Sequence, residues 1–240
     1  MAGITLVNGA DGVPVLVMDQ VKDLNLSGVG TVNGSGTFGA DLDSQGNSVY
    51  AFGNSTDDEC EFVNQGKDGN YSFSGENFDV EMNDYSSVKW DASDSSLTMS
   101  DGNDYLQTTE NSKNNVIDMG AGTNILVDSG SNNIVESKGT TVAATTASSK
   151  NFCLLSGSYN DTVLAMGSGA CMDLGAGDDT AKLYGNNGNI AFTGDGDDKV
   201  YEFLSTIDTS DASQKQYVAS FLSKYMDKAQ VQILIANLFK

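Results

Sequence analysis

Residues 175–203 have the sequence GAGDDTAKLYGNNGNIAFTGDGDDKVYEF, in which the phrase Gly-x-Gly-Asp-Asp starts at Gly175 and again 19 residues later at Gly194. Each phrase is followed by a short stretch of alternating apolar and polar residues, the pattern of a half-buried β-strand. Five aspartates therefore crowd onto two glycine-rich turns. Like charges that close together repel, so some other interaction must offset this arrangement.

The two phrases belong to a longer repeat with a period near nine residues. From residue 111 the blocks are NSKNNVIDM, GAGTNILVD, SGSNNIVES, KGTTVAATT and ASSKNFCLL, and the series continues with GSYNDTVLA, GSGACMDL, GAGDDTAKL, YGNNGNIAF and GDGDDKVYE. A turn and a short strand, repeated about ten times, predict a mainly β protein with a parallel β-roll or β-helix solenoid. For the first hundred residues, where the spacing is looser, an ordinary β-sandwich is the alternative.

We expect three segments. The solenoid should span residues 24–203 and be clearest over 100–203. Residues 1–23 resemble a strand hairpin that covers one end of the solenoid or pairs with the edge of a partner. Residues 204–240 have no glycine and carry apolar residues at helical spacing, which predicts a carboxyl-terminal helical segment. Its candidate roles are an end cap, a secretion signal or a helix that docks on a neighbouring molecule.

If two nine-residue units form one coil, residues 18 or 19 apart lie above one another. Asp161, Asp179 and Asp198 should then form an acidic column, with Asn160, Asp178 and Asp197 beside it. On the opposite edge we expect a ladder of amide hydrogen bonds, of the kind that stacked asparagines form. Its predicted members are Asn115, Asn133, Asn151 and Asn189.

Period-two alternation predicts the inward side chains. They should be Val163, Ala181 and Val200 on one side, and Ile117, Val135 and Cys153 on the other. Cys171 lies 18 residues after Cys153, so we expect it to stack on Cys153 in the core as a small hydrophobic residue. A disulfide or a reactive thiol is the alternative for this pair. With three cysteines in the chain, a disulfide framework is not expected.

Composition restricts the function. The formal net charge of −21 argues against partners that are nucleic acid or anionic lipid, and favours cations. The alternative is that these charges bind no partner and form an acidic surface that keeps the protein soluble. The chain has no histidine, the commonest general base, and shows no nucleophile or phosphate-loop motif, so we expect no enzyme. We also expect no transmembrane segment and no cleaved amino-terminal signal.

The acidic column favours a calcium site. Carboxylates stacked at about 4.8 Å, the spacing of adjacent strands, repel unless a dication lies between them. Ca²⁺ accepts six to eight oxygens from carboxylates and main-chain carbonyls in flexible geometry, whereas Mg²⁺ demands an octahedral shell. We expect glycines at 175, 177, 194 and 196 to let the backbone curl so that its carbonyls face the ion.

GAGDDTAKL and TGDGDDKVY resemble the nonapeptide G-G-x-G-x-D-x-U-x of the RTX proteins, in which U is a large apolar residue. The resemblance implies a parallel β-roll that folds on binding Ca²⁺. The implied metal-site residues are Gly157, Asp161, Gly175, Gly177, Asp178, Asp179, Gly194, Gly196, Asp197 and Asp198, together with Gly102 and Asp104 in a partial copy. Tyr159 stands where the motif has glycine, and blocks 129–151 lack the aspartate.

The resemblance further implies type I secretion in unfolded form, with folding outside the cell on meeting Ca²⁺. We therefore predict an extracellular or cell-surface structural protein that assembles with itself into a layer or filament. One alternative is a monomeric adhesin or an ice- or glycan-binding solenoid with a flat face, for which TTVAATT would supply the exposed ladder and a surface or matrix polysaccharide is a possible partner. A second alternative is a β-helix enzyme acting on carbohydrate.

Overall fold

The computed structural model of the chain is a parallel β-solenoid of about eight coils. The structure describes residues 3–8, 14–42, 47–54, 59–66, 69–83, 86–184 and 188–203, and in the tail residues 215–216, 219–220, 223, 231–232 and 235–236. The predicted mainly β solenoid is thus confirmed. The carboxyl-terminal helix falls mostly outside the described residues and remains a prediction.

Each coil contributes one strand to each of two parallel sheets. The first sheet contains β4 (Ser48–Gly53), β6 (Gly69–Glu76), β8 (Ser86–Ser93), β10 (Tyr105–Thr108), β12 (Thr123–Asp128), β14 (Thr140–Thr145), β16 (Thr162–Ala165), β18 (Thr180–Tyr184) and β20 (Lys199–Phe203). The second contains β5 (Cys60–Asn64), β7 (Phe78–Glu81), β9 (Ser96–Thr98), β11 (Val116–Asp118), β13 (Ile134–Glu136), β15 (Cys153–Leu155), β17 (Cys171–Asp173) and β19 (Ile190–Phe192). Pairing between coils, rather than within them, rules out the sandwich alternative.

The amino-terminal end is antiparallel. Strands β1 (Gly3–Asn8) and β2 (Pro14–Leu26) form the predicted hairpin, and β2 pairs with β3 (Gly30–Leu42). Strand β3 then pairs antiparallel with both β4 and β5, so it covers the first coil of both sheets. The parallel coils begin at Ser48, whereas the predicted start near residue 24 lies within β2.

The interior between the sheets changes character along the solenoid. In the early coils it is filled by aromatic rings that stack from coil to coil, with Phe52 and Phe73 5.1 Å apart and Tyr50 and Tyr71 5.2 Å apart. From about residue 106 onward the buried inward residues are mostly aliphatic or small, such as Ala143 and Ala181, with Phe152 as an aromatic exception. Aromatic side chains contribute the largest buried area per residue, so the early coils hold the densest apolar core.

A second apolar cluster lies on the outer face of the first sheet. It contains Ile125, Val127, Val142, Ala144, Leu164, Met166 and Tyr184, together with Val231 and Ile235 from the tail. The two buried tail residues therefore cover the side of the solenoid rather than its last coil. This cover explains why β12 and β14 are buried on both faces. TTVAATT therefore forms no exposed ladder: Val142 and Ala144 pack in the cluster with the tail residues, and Thr141 and Thr145 share the inward face of Ala143.

Two of the predicted inward positions are wrong. Cys153 and Cys171 do stack in register on β15 and β17, but both face outward: Cys153 is half-buried and Cys171 is exposed. The inward side chains of these strands are the fully buried Leu154 and Met172. The cause is a coil one residue longer, which shifts the register of β15 by one and moves each side chain to the opposite face. Val200 is 48% exposed because it lies on the last described coil.

The glycines of the repeat are required by close stacking of successive turns. A Cβ atom on Gly175, at φ 79°, would lie 1.9 Å from the carbonyl oxygen of Gly157, and one on Gly194 would lie 1.6 Å from that of Gly175. The carbonyls of Gly157 and Gly175 accept hydrogen bonds from the main-chain N–H groups of Ala176 and Asp195 in the next coil. These two carbonyls therefore bind the neighbouring coil, while the expectation that the carbonyls of the turns at 175, 177, 194 and 196 face an ion remains a prediction.

We predict that Gly175→Ala destabilises the protein by at least about 2 kcal/mol, because the added methyl group combines a positive φ with a main-chain clash. The matched control is Gly157→Ala one coil earlier, where the new Cβ atom would find its nearest neighbour at 3.3 Å. Urea denaturation followed by circular dichroism measures both. Equal stabilities of the two variants would contradict the stacking argument.

Candidate functional site

The predicted acidic column exists, and its carboxylates lock successive coils together. Oδ1 of Asp179 accepts a hydrogen bond from the main-chain N–H of Asp161 at 2.8 Å, and Oδ1 of Asp198 accepts one from the N–H of Asp179 at 3.0 Å. Asp161 does the same for Thr141, at 2.6 Å. Each aspartate thus reaches back to the preceding coil from the position just before a strand of the first sheet.

A second ladder runs beside the first in the opposite sense. The main-chain N–H of Asp178 donates to Oδ1 of Asn160 at 2.9 Å, and the N–H of Asp197 donates to Oδ1 of Asp178 at 3.0 Å. Here the side chain of the earlier coil accepts from the later one. Asp178 and Asp197 are exposed, so their charge is solvated and costs little.

Asp104 belongs to the same column as Asp161 but has no carboxylate next to it there. Its Oδ1 accepts from the N–H of Ser86, and its own N–H donates to Oδ1 of Asn124. Asn124 and Thr141 occupy the two intervening coils. The structure thus brings together three of the aspartates predicted for this column, Asp161, Asp179 and Asp198, and leaves Asp104 apart. Gly102, the other predicted residue of this partial copy, stacks against Gly122 in the next coil.

The inner carboxylates lie in a poorly solvated place. Asp161 and Asp179 are each 1% exposed. Burial raises the pKa of Asp161 to about 6, against hydrogen bonds from Ser156 and Thr141 that lower it. Burial also raises the pKa of Asp179, and the neighbouring charges of Asp198 and Asp178 add to this rise. The column therefore has an electrostatic cost at neutral pH.

Among the three carboxylates that stack in adjacent coils, Asp161, Asp179 and Asp198, one buried oxygen has no hydrogen-bond partner within the described residues. Oδ2 of Asp179 is buried and has no hydrogen-bond partner among the described residues, whereas Oδ2 of Asp161 accepts from the hydroxyl of Ser156 at 2.5 Å. An orphaned buried carboxylate oxygen calls for a bound proton, a water or a cation. Within the described part of the chain, no three Asp, Glu or Cys side chains converge as a metal-binding group. A cation here would therefore use at most two carboxylates, completed by main-chain oxygens and water.

The asparagine ladder is real but consists of two columns rather than one. In the inner column, Asn133 accepts from the N–H and side-chain amide of Asn115, and Asn189 accepts from the N–H of Ala170. The spacing predicts Asn151 in this inner column, and this is wrong. Asn151 belongs to an exposed outer column, in which the side-chain amide of Asn151 donates to Asn132 and that of Asn132 donates to Asn114. The outer residues have φ between 51° and 56°, a conformation that asparagine tolerates.

Sequence reasoning missed a buried polar network on the other side of the interior. Asp128 is fully buried and accepts hydrogen bonds from Thr108 at 2.7 Å, Asn133 at 2.9 Å and Ser149 at 2.5 Å. Its three donors come from three successive coils. Asp128 shares the inward face of Leu126, but the apolar run Ile125, Leu126 and Val127 does not alternate, so the sequence carried no signal for its direction.

Comparison with known proteins identifies no relative: no protein-family model, no curated protein and no solved structure matches this chain. The fold and the site therefore have to be interpreted from their own geometry.

Among the described residues, no helix has the length and apolar character needed to cross a lipid bilayer.

The raised pKa of Asp161 predicts an unusual pH dependence in the presence of a chelator. Between about pH 4 and pH 6 the carboxyl group of Asp161 keeps its proton in the folded state, whereas in the unfolded chain, where its pKa is near 3.8, it has released the proton. Stability should thus be highest below about pH 4 for this group and fall by about 2 to 3 kcal/mol as the pH rises to about 6. Denaturation curves at several pH values measure this fall.

Asp161→Asn is the matched control, because the amide keeps the Oδ1 acceptor for Thr141 and does not titrate. We expect a flatter profile in this variant. A wild-type stability that rises between pH 4 and pH 6 in proportion to the ionisation of Asp161 would contradict the assignment.

Proposed function

We propose that this chain is a calcium-stabilised structural β-roll that works outside the cell. The observation that carries the proposal is the column Asp161, Asp179 and Asp198, in which buried carboxylates stack in adjacent coils and Oδ2 of Asp179 has no partner within the described residues. The solenoid fold itself is consistent with a structural or adhesin-like role. The calcium site, export and assembly are the parts that we infer.

The electrostatics favour a divalent ion over a basic side chain. The two salt bridges among the described residues both involve Lys138, which binds Asp118 and Glu136 on the second sheet, away from the column. A cation between Asp179 and Asp198 would satisfy the orphaned oxygen and remove the repulsion in one step. Ca²⁺ fits better than Mg²⁺, because two carboxylates and main-chain oxygens form an irregular donor set.

Such a site would couple folding to the surroundings of the protein. A site assembled from two coils does not exist in the unfolded chain, so the free energy of calcium binding contributes to folding. Extracellular calcium modules work with dissociation constants of about 10⁻⁴ to 10⁻³ M. A chain that stays open at low cytosolic calcium and folds on reaching millimolar calcium would suit export in unfolded form. We propose a structural rather than a catalytic role for the folded coil.

The calcium proposal predicts that Ca²⁺ raises the midpoint of urea unfolding and that the combined variant Asp179→Asn with Asp198→Asn loses this response. The amides keep the Oδ1 acceptors of the ladder and remove only the charge, so the variant should still fold. Isothermal calorimetry and circular dichroism with and without Ca²⁺ are the measurements.

The control is Glu136→Gln with Asp118→Asn, which removes two charges from the exposed face of the second sheet. This variant should respond to Ca²⁺ as the wild type does. If calorimetry of the wild type detects no binding tighter than millimolar, the metal part of the proposal fails. An equal loss of response in both double variants would reduce it to general charge screening.

Self-assembly rests on a different observation, the open end of the solenoid. Val200 stands one coil above Ala181, which is fully buried, yet it is itself 48% exposed. In the second sheet of the same coil the inward residue Ala191 is only half-buried, although it follows the fully buried Met172. Within the described residues no strand pairs with the outer edge of β20, and at the other end of the molecule none pairs with the outer edge of β1. The two ends differ, so an end-to-end contact is head-to-tail, and its repetition gives a filament when the rotation between neighbours does not close a ring.

The edge also carries charges that restrain indiscriminate pairing. Glu202 lies above the inward residue Leu183, and Lys199 directly precedes Val200 on the same strand. Inward-pointing charges on an edge strand are a common protection against aggregation. A partner molecule must neutralise or hydrogen-bond the carboxylate of Glu202 when it covers this edge. We therefore expect end-to-end contacts to be selective and sensitive to cations.

Assembly through the last coil predicts that Val200→Asp abolishes filaments or layers seen by electron microscopy at millimolar Ca²⁺. The control is Val116→Asp, which introduces the same charge at a 59% exposed position on the side of the second sheet. Loss of assembly in the Val116 variant alone would indicate lateral rather than end-to-end contacts. Monodisperse wild-type monomers at high concentration, with and without Ca²⁺, would overturn self-assembly and leave the calcium proposal standing.

A further inference from the structure

The exposed face of the second sheet carries two thiols in register. Cys153 on β15 lies directly opposite Cys171 on β17, with parallel pairing on both sides of the pair. Neither forms a disulfide. Both side chains leave the same face, since the residues that follow them, Leu154 and Met172, point into the interior. The two sulfurs therefore project side by side from neighbouring coils.

The spacing of the strands decides what such a pair can bind. Neighbouring strands lie about 4.8 Å apart, and side chains in register keep nearly that separation at Cβ. A relaxed disulfide needs its Cβ atoms about 3.5 to 4.5 Å apart, so a direct bond would pull the coils together. Two metal–thiolate bonds placed in line, each close to the roughly 2.3 Å of a Zn–S bond, span about 4.6 Å, which is close to the coil spacing.

The surroundings of the pair favour a soft cation. In the same outward column, Ile134 lies one coil before Cys153 and Ile190 one coil after Cys171, which places apolar side chains at both ends of the pair. Asp173, two residues beyond Cys171 on the same face, contributes negative charge. Thiolates select soft ions such as Cu⁺, whereas hard ions such as Ca²⁺ prefer oxygen ligands.

We propose that Cys153 and Cys171 form a two-thiolate site for a soft monovalent cation, with Cu⁺ as its probe. The site is separate from the carboxylate column and does not depend on the calcium proposal. Binding replaces two S–H protons with two S–Cu bonds: Cu⁺ and two thiols give one anionic bis-thiolate complex and two released protons. No oxidant or reductant is consumed. Cys60, which is buried in the interior on β5, takes no part.

The test is an anaerobic titration of the folded full-length chain with Cu⁺ against a chromophoric chelator of known affinity. We expect one Cu⁺ per chain and an X-ray absorption spectrum with two sulfur neighbours. Cys153→Ser and Cys171→Ser should each weaken Cu⁺ binding by more than about 100-fold. Loss of a residue that only hydrogen-bonds to a metal ligand costs up to about 100-fold in affinity, so loss of a ligand itself should cost more. Cys60→Ala is the control and should bind as the wild type does.

Other outcomes would overturn the proposal. Binding that survives either serine substitution would place the ion elsewhere, and half an ion per chain together with dimer formation would assign it to thiols of two molecules. A third measurement addresses the spacing itself. Treatment of the metal-free protein with oxidised glutathione should leave the pair as free thiols or glutathione adducts in mass spectra. Rapid and complete formation of an internal disulfide, identified in the mass spectrum by the loss of both thiol hydrogens, would contradict the spacing argument.

Discussion

The structure depends on side-chain oxygens that bind the backbone of the adjacent coil. Parallel strands offer evenly spaced hydrogen bonds, so the sheets alone do little to prevent one coil from slipping against the next. The Oδ1 atoms of Asp161, Asp179 and Asp198 fix the turn before the first sheet, and those of Asn133 and Asn189 fix the turn before the second. Each bond spans two coils at a buried place where an unmade bond is expensive. Register, and with it the separation of inward and outward residues, follows from these ladders.

The repeat period predicted the architecture because it is a local property, repeated often enough to outweigh single irregularities. Asp161, Asp179 and Asp198 could be placed in one column from their spacing alone. Asn151 and Cys153 could not, because one coil there is a residue longer, and a shift by one turns each side chain to the opposite face. The place of Val231 and Ile235 was also beyond the sequence: helical spacing indicates an apolar stripe but not the surface that it covers.

Aspartate and asparagine fill equivalent positions in these ladders, and they differ in the charge that they add. Either residue offers the Oδ1 acceptor that locks a coil, as Asp104 and Asn124 show in successive coils of one column. Where a coil needs only this hydrogen bond to its neighbour, an asparagine amide supplies the acceptor without adding charge. Carboxylates recur in three successive coils only near the carboxyl-terminal end, where they add an electrostatic cost that the lock does not require. That excess charge is the feature for which a bound cation gives a physical reason.

The change in the interior from aromatic to small side chains gives the solenoid a direction. In a stack in which each coil contacts only its neighbours, stability is approximately the sum of the coils' own stabilities and of the contacts between adjacent coils. The rings of Phe52, Phe73 and Trp90, which contact one another from coil to coil under β3, form the strongest local core at the amino-terminal end. The carboxylate coils lie at the opposite end, where the buried inward side chains are mostly smaller and the stacked charges add a cost. Local opening of the native state is therefore expected to begin there, far from the aromatic coils.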